Sequence, residues 1–147
     1  NIPVEEEQCS ERLIDILRAH EQNITFTPEG HIGHDREIDI DCTLGNLRLP
    51  IEVKGQWHAK LWTAADDQLD QQQAVDHRAQ GYGIYLVLWF GDVDRSGWKP
   101  LTGAPRGSGI TKPQTPRELE SALIANSQAV KNDRITIKVI DLTHDFD

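Results

Sequence analysis

Residues 37–55 read "EIDIDCTLGNLRLPIEVKG" and contain the clearest pattern in the chain. On both sides of Gly45-Asn46, apolar and polar residues alternate with period two, which predicts two strands of a β-hairpin. Glycine at the first loop position favours a type II′ turn. One face of the predicted hairpin is apolar, formed by Ile38, Ile40, Cys42, Leu44, Leu47, Leu49, Ile51 and Val53.

The other face of the hairpin is charged. With Gly45-Asn46 as the loop, Asp39 faces Glu52, and Glu37 faces Lys54. Like charges directly opposite each other destabilise a sheet, so the two facing carboxylates need an explanation. One explanation is a divalent cation, and the other is a solvated strand face with a Glu37–Lys54 pair. The register stays open at this point, because a one-residue slip would turn a strand over.

The rest of the chain alternates between helical and strand patterns. Helices are predicted over 4–20, 59–80 and 116–130, and further strands at 24–26, 83–91 and 134–142. In the first helix, Leu13, Ile16, Leu17 and His20 recur at helical spacing. Thr115 is a candidate cap for the last helix, and residues 30–37 are predicted to turn. The order α-β-β-β-α-β-α-β predicts an α/β protein with a mixed β-sheet flanked by helices.

The bulk composition indicates one globular domain over residues 1–147. The strongest apolar run, 84–90, is too short for a membrane-spanning helix, so no membrane partner is expected. Two cysteines form neither a disulfide framework nor a paired metal motif, which favours a cytoplasmic setting. The chain begins at Asn1 and contains no Met, so we expect a domain excised from a larger protein.

Residues 95–117 interrupt the pattern of helices and strands. This segment, called the basic loop below, holds four Gly, four Pro and five Lys or Arg residues, and no acid. No regular element fits it. Since the whole chain has a net charge of −9, the residues outside the basic loop sum to −14. A long loop of one charge is either functional or a mobile surface insert, and both readings stay open.

Asp39, the hairpin after it and "IEVK" at 51–54 together resemble the PD-(D/E)XK nuclease superfamily, which has the restriction-endonuclease-like fold. The pattern of that superfamily is an acid on one strand and acid-any-Lys on the next, here Asp39, Glu52 and Lys54. The predicted order of elements also resembles its core, so the resemblance covers most of the chain. Segments 54–69 and 81–91 are similar to nuclease domains fused to larger bacterial proteins, some linked to defence against phage.

The resemblance implies a nuclease that depends on Mg²⁺ or Mn²⁺ and hydrolyses DNA phosphodiester bonds. It implies that Asp39, Glu52 and the backbone carbonyl of Val53 bind the metal ion. It also implies that Lys54 positions or deprotonates the attacking water. Asp41 shares the face of Asp39 and is an alternative to it.

Two further site residues follow from the resemblance. Many members add a glutamate from the first helix, and Glu6 fits because it shares a helical stripe with Cys9 and Leu13. Some members use a glutamine on the helix after acid-any-Lys, a place that Gln68 fits. The aromatic residue that follows that glutamine in some relatives is Gln72 here, so the role of Gln68 stays open.

The expected partner is DNA. Its candidate contacts are His58, Lys60, Arg95, Lys99, Arg106 and Lys112. Cleavage of RNA is one alternative, and a non-catalytic module that binds nucleic acid or protein is another, favoured by the acidic balance. Fused sensor or ATPase-type domains are expected in the full-length protein, and assembly as a homo-oligomer stays open.

Overall fold

The computed structural model describes residues 6–32, 36–73, 77–91 and 99–143, and the side chains of 8–28, 39–70, 77–91 and 99–143. The helices are α1 (Glu6–His20), a π-helix (Ala65–Gln73), α2 (Pro116–Asn126) and α3 (Gln128–Lys131). The strands are β1 (Thr25–Ile32), β2 (Arg36–Leu44), β3 (Leu47–Gly55), β4 (Gly83–Trp89) and β5 (Ile135–Asp141). None of the helices in these ranges is both long and apolar enough to cross a membrane.

The strands form one sheet in chain order, β1-β2-β3-β4-β5. The first three strands are antiparallel, whereas β4 and β5 run parallel to β3. This confirms the predicted α/β class with a mixed sheet. Because β3 has a partner on each side, it is a central strand, and residues 50–56 are buried throughout.

The hairpin forms in the predicted register. Leu44 pairs with Leu47 and Ile40 with Ile51. Gly45 has φ +59, whereas Asn46 does not have a positive φ, which is the combination of a type II′ turn. A side chain at position 45 would therefore be strained although no atom lies near it.

Two apolar clusters lie on opposite faces of the sheet. Under α1, the apolar face of the hairpin packs with the even-numbered residues of β4; the buried members are Ile14, Phe26, Ile40, Ile51, Val53, Leu88 and Phe90. On the other face, Tyr85, Val87, Ile135 and Ile137 pack against the π-helix and α2. In α1, Ser10 and Ile14 are buried, while Ile16 and His20 are exposed, so those two residues lie outside the buried face of the helix.

The helix predicted over 59–80 is wrong in part. Residues 59–63 and 77–80 form turns, and the regular segment described between them is the π-helix. The Tyr85 hydroxyl donates to the carbonyl of Leu61, 2.8 Å away, and the Trp62 indole donates to the carbonyl of Thr102. These two tertiary bonds accompany local turn bonds such as Leu61 N–H to the His58 carbonyl, so helix propensity alone does not decide the conformation of this segment.

Two other element boundaries differ from the predictions. β1 extends through residues 30–32, which were predicted to turn, because it pairs with β2 from Thr25↔Thr43 to Ile32↔Arg36. The helix predicted over 116–130 breaks at Ser127, which is extended (φ −89, ψ 129) and caps both α2 and α3. Thr115 caps α2 as predicted. Residues 99–115 of the basic loop contain no helix or strand, also as predicted.

Candidate active site

The structure brings Asp39, Glu52 and Lys54 together. The Lys54 ammonium lies 2.5 Å from Oε1 of Glu52 and 3.7 Å from Oδ2 of Asp39. Both carboxylates therefore approach one point on the same face of the sheet. Glu52 and Lys54 lie side by side with Tyr85 and Val87 of β4, at the border of the core that packs against the π-helix.

Next to the cluster, a side-chain hydrogen bond follows the backbone pairing of β2 with β3. The paired residues of β2 and β3 extend from the turn to Ile40↔Ile51. Two residues beyond Ile51, the amide of Val53 donates to Oδ2 of Asp39, at 2.6 Å. Because the N–H and C=O of one strand residue point to the same side, the Val53 carbonyl faces the same side of β3 as Asp39. The candidate ligand oxygens thus come from adjoining positions of two strands.

The charge pair Glu52–Lys54 is buried. Glu52 is 2% exposed and Lys54 is 6% exposed, whereas the Asp39 side chain is 32% exposed. Burial of charged groups costs free energy that their mutual attraction offsets only in good geometry. A buried charged cluster at the end of a strand is therefore typical of a site kept for its chemistry.

Asp41, the alternative to Asp39, is engaged elsewhere. The Arg48 guanidinium donates to Oδ1 of Asp41 at 2.7 Å, and Arg48 is itself buried. The charge of Asp41 is therefore balanced by Arg48 and not by Lys54. This geometry favours Asp39 over Asp41 as a member of the site.

Gln68 lies on the π-helix, which packs against β3. Its side-chain oxygen, Oε1, is buried and has no hydrogen-bond partner in the described parts of the chain. A buried polar atom without a partner costs about 1–3 kcal/mol, so such an atom points to a bound water or ligand. π-Helical turns are rare and often occur at functional sites, which agrees with the expected role of Gln68.

The side chains at the cluster form a small donor set for a metal ion. Within the described ranges, no three His, Cys, Asp or Glu side chains are grouped closely enough to hold a metal. Mg²⁺, however, is often bound by one or two carboxylates together with waters and substrate phosphates. Asp39, Glu52 and the Val53 carbonyl fit that smaller set. Glu6 lies in α1, and its side chain is outside the described residues.

The candidate nucleic-acid contacts differ in exposure. Lys60, Arg106 and Lys112 are exposed, and Arg95 lies outside the described residues. The imidazole of His58 accepts a hydrogen bond from the amide of Lys60 through Nδ1 (3.0 Å), so His58 caps a turn. Lys99 does not extend into solvent, because its ammonium lies 4.6 Å from the ring centroid of Trp57.

Sequence reasoning missed Gln56. This residue is fully buried directly after the strand that carries Glu52 and Lys54, and its amide group makes three hydrogen bonds. A glutamine next to a strand end is ordinarily exposed, so the sequence carries no signal for this role.

A separate cavity of about 350 Å³ lies at the turn end of the hairpin, where Leu44, Leu47 and Tyr82 are partly exposed. It is lined mainly by apolar groups and includes Cys42. Burial, and secondarily the charge of Asp41, raises the pKa of the Cys42 thiol. The thiol is therefore protonated at neutral pH, when it is a poor nucleophile.

The fold and this geometry define an α/β protein with a two-carboxylate, one-lysine cluster on the central hairpin of a mixed sheet. Residues 2–92 match the model of a family described as a domain of unknown function (DUF8371), and the chain belongs to that family. The matched residues include α1, β1 to β4 and the cluster, and end before residues 99–117. No curated protein and no solved structure matches the chain.

Proposed function

We propose that this chain is a metal-dependent nuclease domain of the PD-(D/E)XK type, with Asp39, Glu52 and Lys54 as its catalytic group. The observation that carries the proposal is that two carboxylates from neighbouring strands approach the ammonium of one lysine, at 2.5 and 3.7 Å. The order of elements supports it, because a helix, an antiparallel meander and a parallel strand surround the cluster. The fold is thus compatible with a restriction-endonuclease-like core.

Each residue has a distinct role in this proposal. Asp39, Glu52 and the Val53 carbonyl would hold Mg²⁺ or Mn²⁺, which when bound polarises a phosphate and lowers the pKa of a bound water. Lys54 donates hydrogen bonds to the attacking water and to a phosphate oxygen, where negative charge develops in the transition state. The π-helix that carries Gln68 packs on the face of Glu52 and Lys54, and the Oε1 of Gln68, which has no partner in the described residues, would accept a hydrogen bond from a water there.

Plasmid nicking in Mg²⁺ or Mn²⁺ tests the proposal. We expect Asp39→Asn and Lys54→Met to lower the nicking rate by about 100-fold or more, the usual effect of removing a charge-stabilising group. Asp39→Asn is the sharper variant, because an amide oxygen can still accept the bond from the amide of Val53. Asp67→Asn and Lys138→Met are matched controls at exposed positions.

Nicking that persists in both site variants would contradict the proposed site, and EDTA should stop nicking in the unaltered chain. Metal-dependent thermal stabilisation gives an independent readout, since a ligand that binds only the folded state raises the melting temperature. That stabilisation should disappear in Asp39→Asn and remain in Asp67→Asn. Supplying RNA in place of DNA separates the two substrate classes.

A non-catalytic nucleic-acid-binding module is the second candidate. The observation that favours it is that only two carboxylates, without a third acidic, His or Cys side chain, meet at the cluster within the described ranges. In that case the chain binds DNA or RNA, no nicking occurs with either metal, and metal leaves the melting temperature unchanged.

A further inference from the structure

Gln56 joins three segments of the chain at one edge of the sheet. Its Nε2 donates to the carbonyls of Gly91 (2.7 Å) and Lys99 (3.2 Å), and its Oε1 accepts from the amide of Phe90 (2.7 Å). Its main-chain N–H donates to Leu88, and its carbonyl accepts from Thr102 at 2.8 Å. These bonds hold together the end of β3, the residues after β4 and the first described residues of the basic loop.

Residues 99–102 cross the carboxyl ends of β3 and β4. On the α1 side, the Lys99 ammonium lies over Trp57, whose ring packs against Phe90 with centroids 5.3 Å apart. On the other side, Leu101 is buried in the core beneath the π-helix and α2. The chain thus passes from one face of the sheet to the other at the edge where Gln56 lies.

This crossing places the basic loop on the face of the candidate site. Ala104 and Ile110 pack against the cluster that contains Tyr85 and Val87, the strand neighbours of Glu52 and Lys54. The exposed cations Arg106 and Lys112 lie on this anchored segment. In open sheets, ligands bind outside the carboxyl ends of parallel strands, which is the edge that the loop crosses.

We propose that Gln56 is a positioning residue for nucleic-acid binding. It fixes the start of the basic loop to the strand of Glu52 and Lys54, so that the cations of the loop meet the phosphate backbone beside the cluster. The inference rests on the proposed function for its ligand, a nucleic-acid backbone. A glutamine suits this place because one amide supplies two donors and one acceptor to three main-chain groups.

The anchoring itself is tested without nucleic acid. Gln56→Met keeps a side chain of similar length and removes all three side-chain hydrogen bonds, whereas Gln128→Met is a matched control at an exposed glutamine. We expect trypsin to cleave after Arg106 about tenfold faster in Gln56→Met, with the rest of the chain still resistant. Unchanged cleavage after Arg106 would overturn the anchoring role.

Binding to a short DNA duplex in EDTA then tests the positioning role. We expect Gln56→Met to weaken binding about tenfold and to reduce its dependence on salt, because the loop cations no longer act together. In the nicking assay, KM should rise while kcat at saturation stays within about twofold; a lower folded fraction alone would change kcat and leave KM. Faster tryptic cleavage with unchanged binding would show that Gln56 is structural only.

Gln56→Glu replaces Gln56→Met if the latter does not fold. It keeps an acceptor for Phe90, and its carboxyl supplies one donor when protonated and none when ionised, so binding relative to the unaltered chain should be weaker at pH 8 than at pH 5. Equal relative binding at the two pH values overturns the inference. If nicking survives Lys54→Met while the Gln56 variants bind weakly, the proposed catalytic site is refuted and the positioning role of Gln56 stands. If the unaltered chain binds neither DNA nor RNA, the positioning role of Gln56 is refuted.

Discussion

At the scale of single residues, Glu52 and Lys54 form a buried ion pair. Both side chains are under 10% exposed, and the ion pair is short. Apolar residues of similar size often replace such pairs without loss of stability, so the pair is not needed to hold the sheet together. Its position beside the more exposed carboxylate of Asp39 supports a chemical role.

This view of the pair predicts a specific pattern of stabilities. Lys54→Met leaves the Glu52 carboxylate buried without its lysine, so the free energy of unfolding at pH 7 should fall by about 3–5 kcal/mol. The double variant Glu52→Gln/Lys54→Met should recover a large part of that loss, because no buried charge then lacks its partner. Urea unfolding followed by circular dichroism measures both effects.

Lys138→Met is the control for this prediction. Lys138 forms a longer ion pair with Glu120 (3.7 Å), and its side chain is 63% exposed. Its replacement should change stability by less than about 1 kcal/mol. A double variant at positions 52 and 54 that is less stable than Lys54→Met would contradict a predominantly electrostatic effect.

At the scale of elements, Asp66 connects the π-helix to α3. Its carboxylate accepts hydrogen bonds from the Ser127 hydroxyl (2.7 Å) and from the amides of Gln128 (3.1 Å) and Ala129 (2.9 Å). An acid at a helix N-terminus satisfies amides that have no partner within the helix. This contact ties the break at Ser127 to the element that carries Gln68.

Asp66→Ala should therefore destabilise the chain by about 1–3 kcal/mol, the cost of leaving these donors without their acceptor. Asp67→Ala, at the adjacent and exposed position, is the matched control and should change the unfolding free energy by less than about 0.5 kcal/mol. Thermal or urea unfolding measures the difference. Equal effects of the two variants would show that α3 does not depend on Asp66.

At the scale of the whole molecule, charge is distributed unevenly. The net charge of −9 divides into +5 on residues 95–117 and −14 elsewhere. An acidic protein repels nucleic acid in bulk, so binding would depend on the basic loop. The family match covers residues 2–92. The proposed catalytic cluster therefore lies inside the matched segment, and the basic loop lies outside it.

Replacement of Arg106 and Lys112 by Gln should weaken DNA binding and reduce the slope of log Kd against log salt by about 2, roughly one for each phosphate contact. Lys131→Gln/Lys138→Gln removes the same charge outside the loop and is the matched control. Fluorescence anisotropy at several salt concentrations measures the slopes. If both double variants shift the slope equally, the loop acts only through net charge.

The hairpin follows from the sequence alone. Period-two alternation and Gly45-Asn46 predicted the register that the structure confirms, and this register places Asp39 and Glu52 on one face, since successive side chains of a strand point to opposite sides. The α/β class followed from the order of the patterns, and the Thr115 cap from a local side chain–backbone bond. These features depend on residues close together in the chain.

Only the tertiary structure decided the features that depend on distant residues. The turns at 61–63 precede the π-helix and are bonded to distant parts of the chain. The Leu61 carbonyl accepts from Tyr85, 24 residues away, and the Trp62 indole donates to the Thr102 carbonyl, 40 residues away. The burial of Gln56 depends on Phe90, Gly91 and Lys99. The pairing of Asp41 with Arg48 and of Lys54 with both carboxylates likewise required the side chains to be placed in space. Patterns along a chain report local geometry, whereas these contacts form only when separate elements pack together.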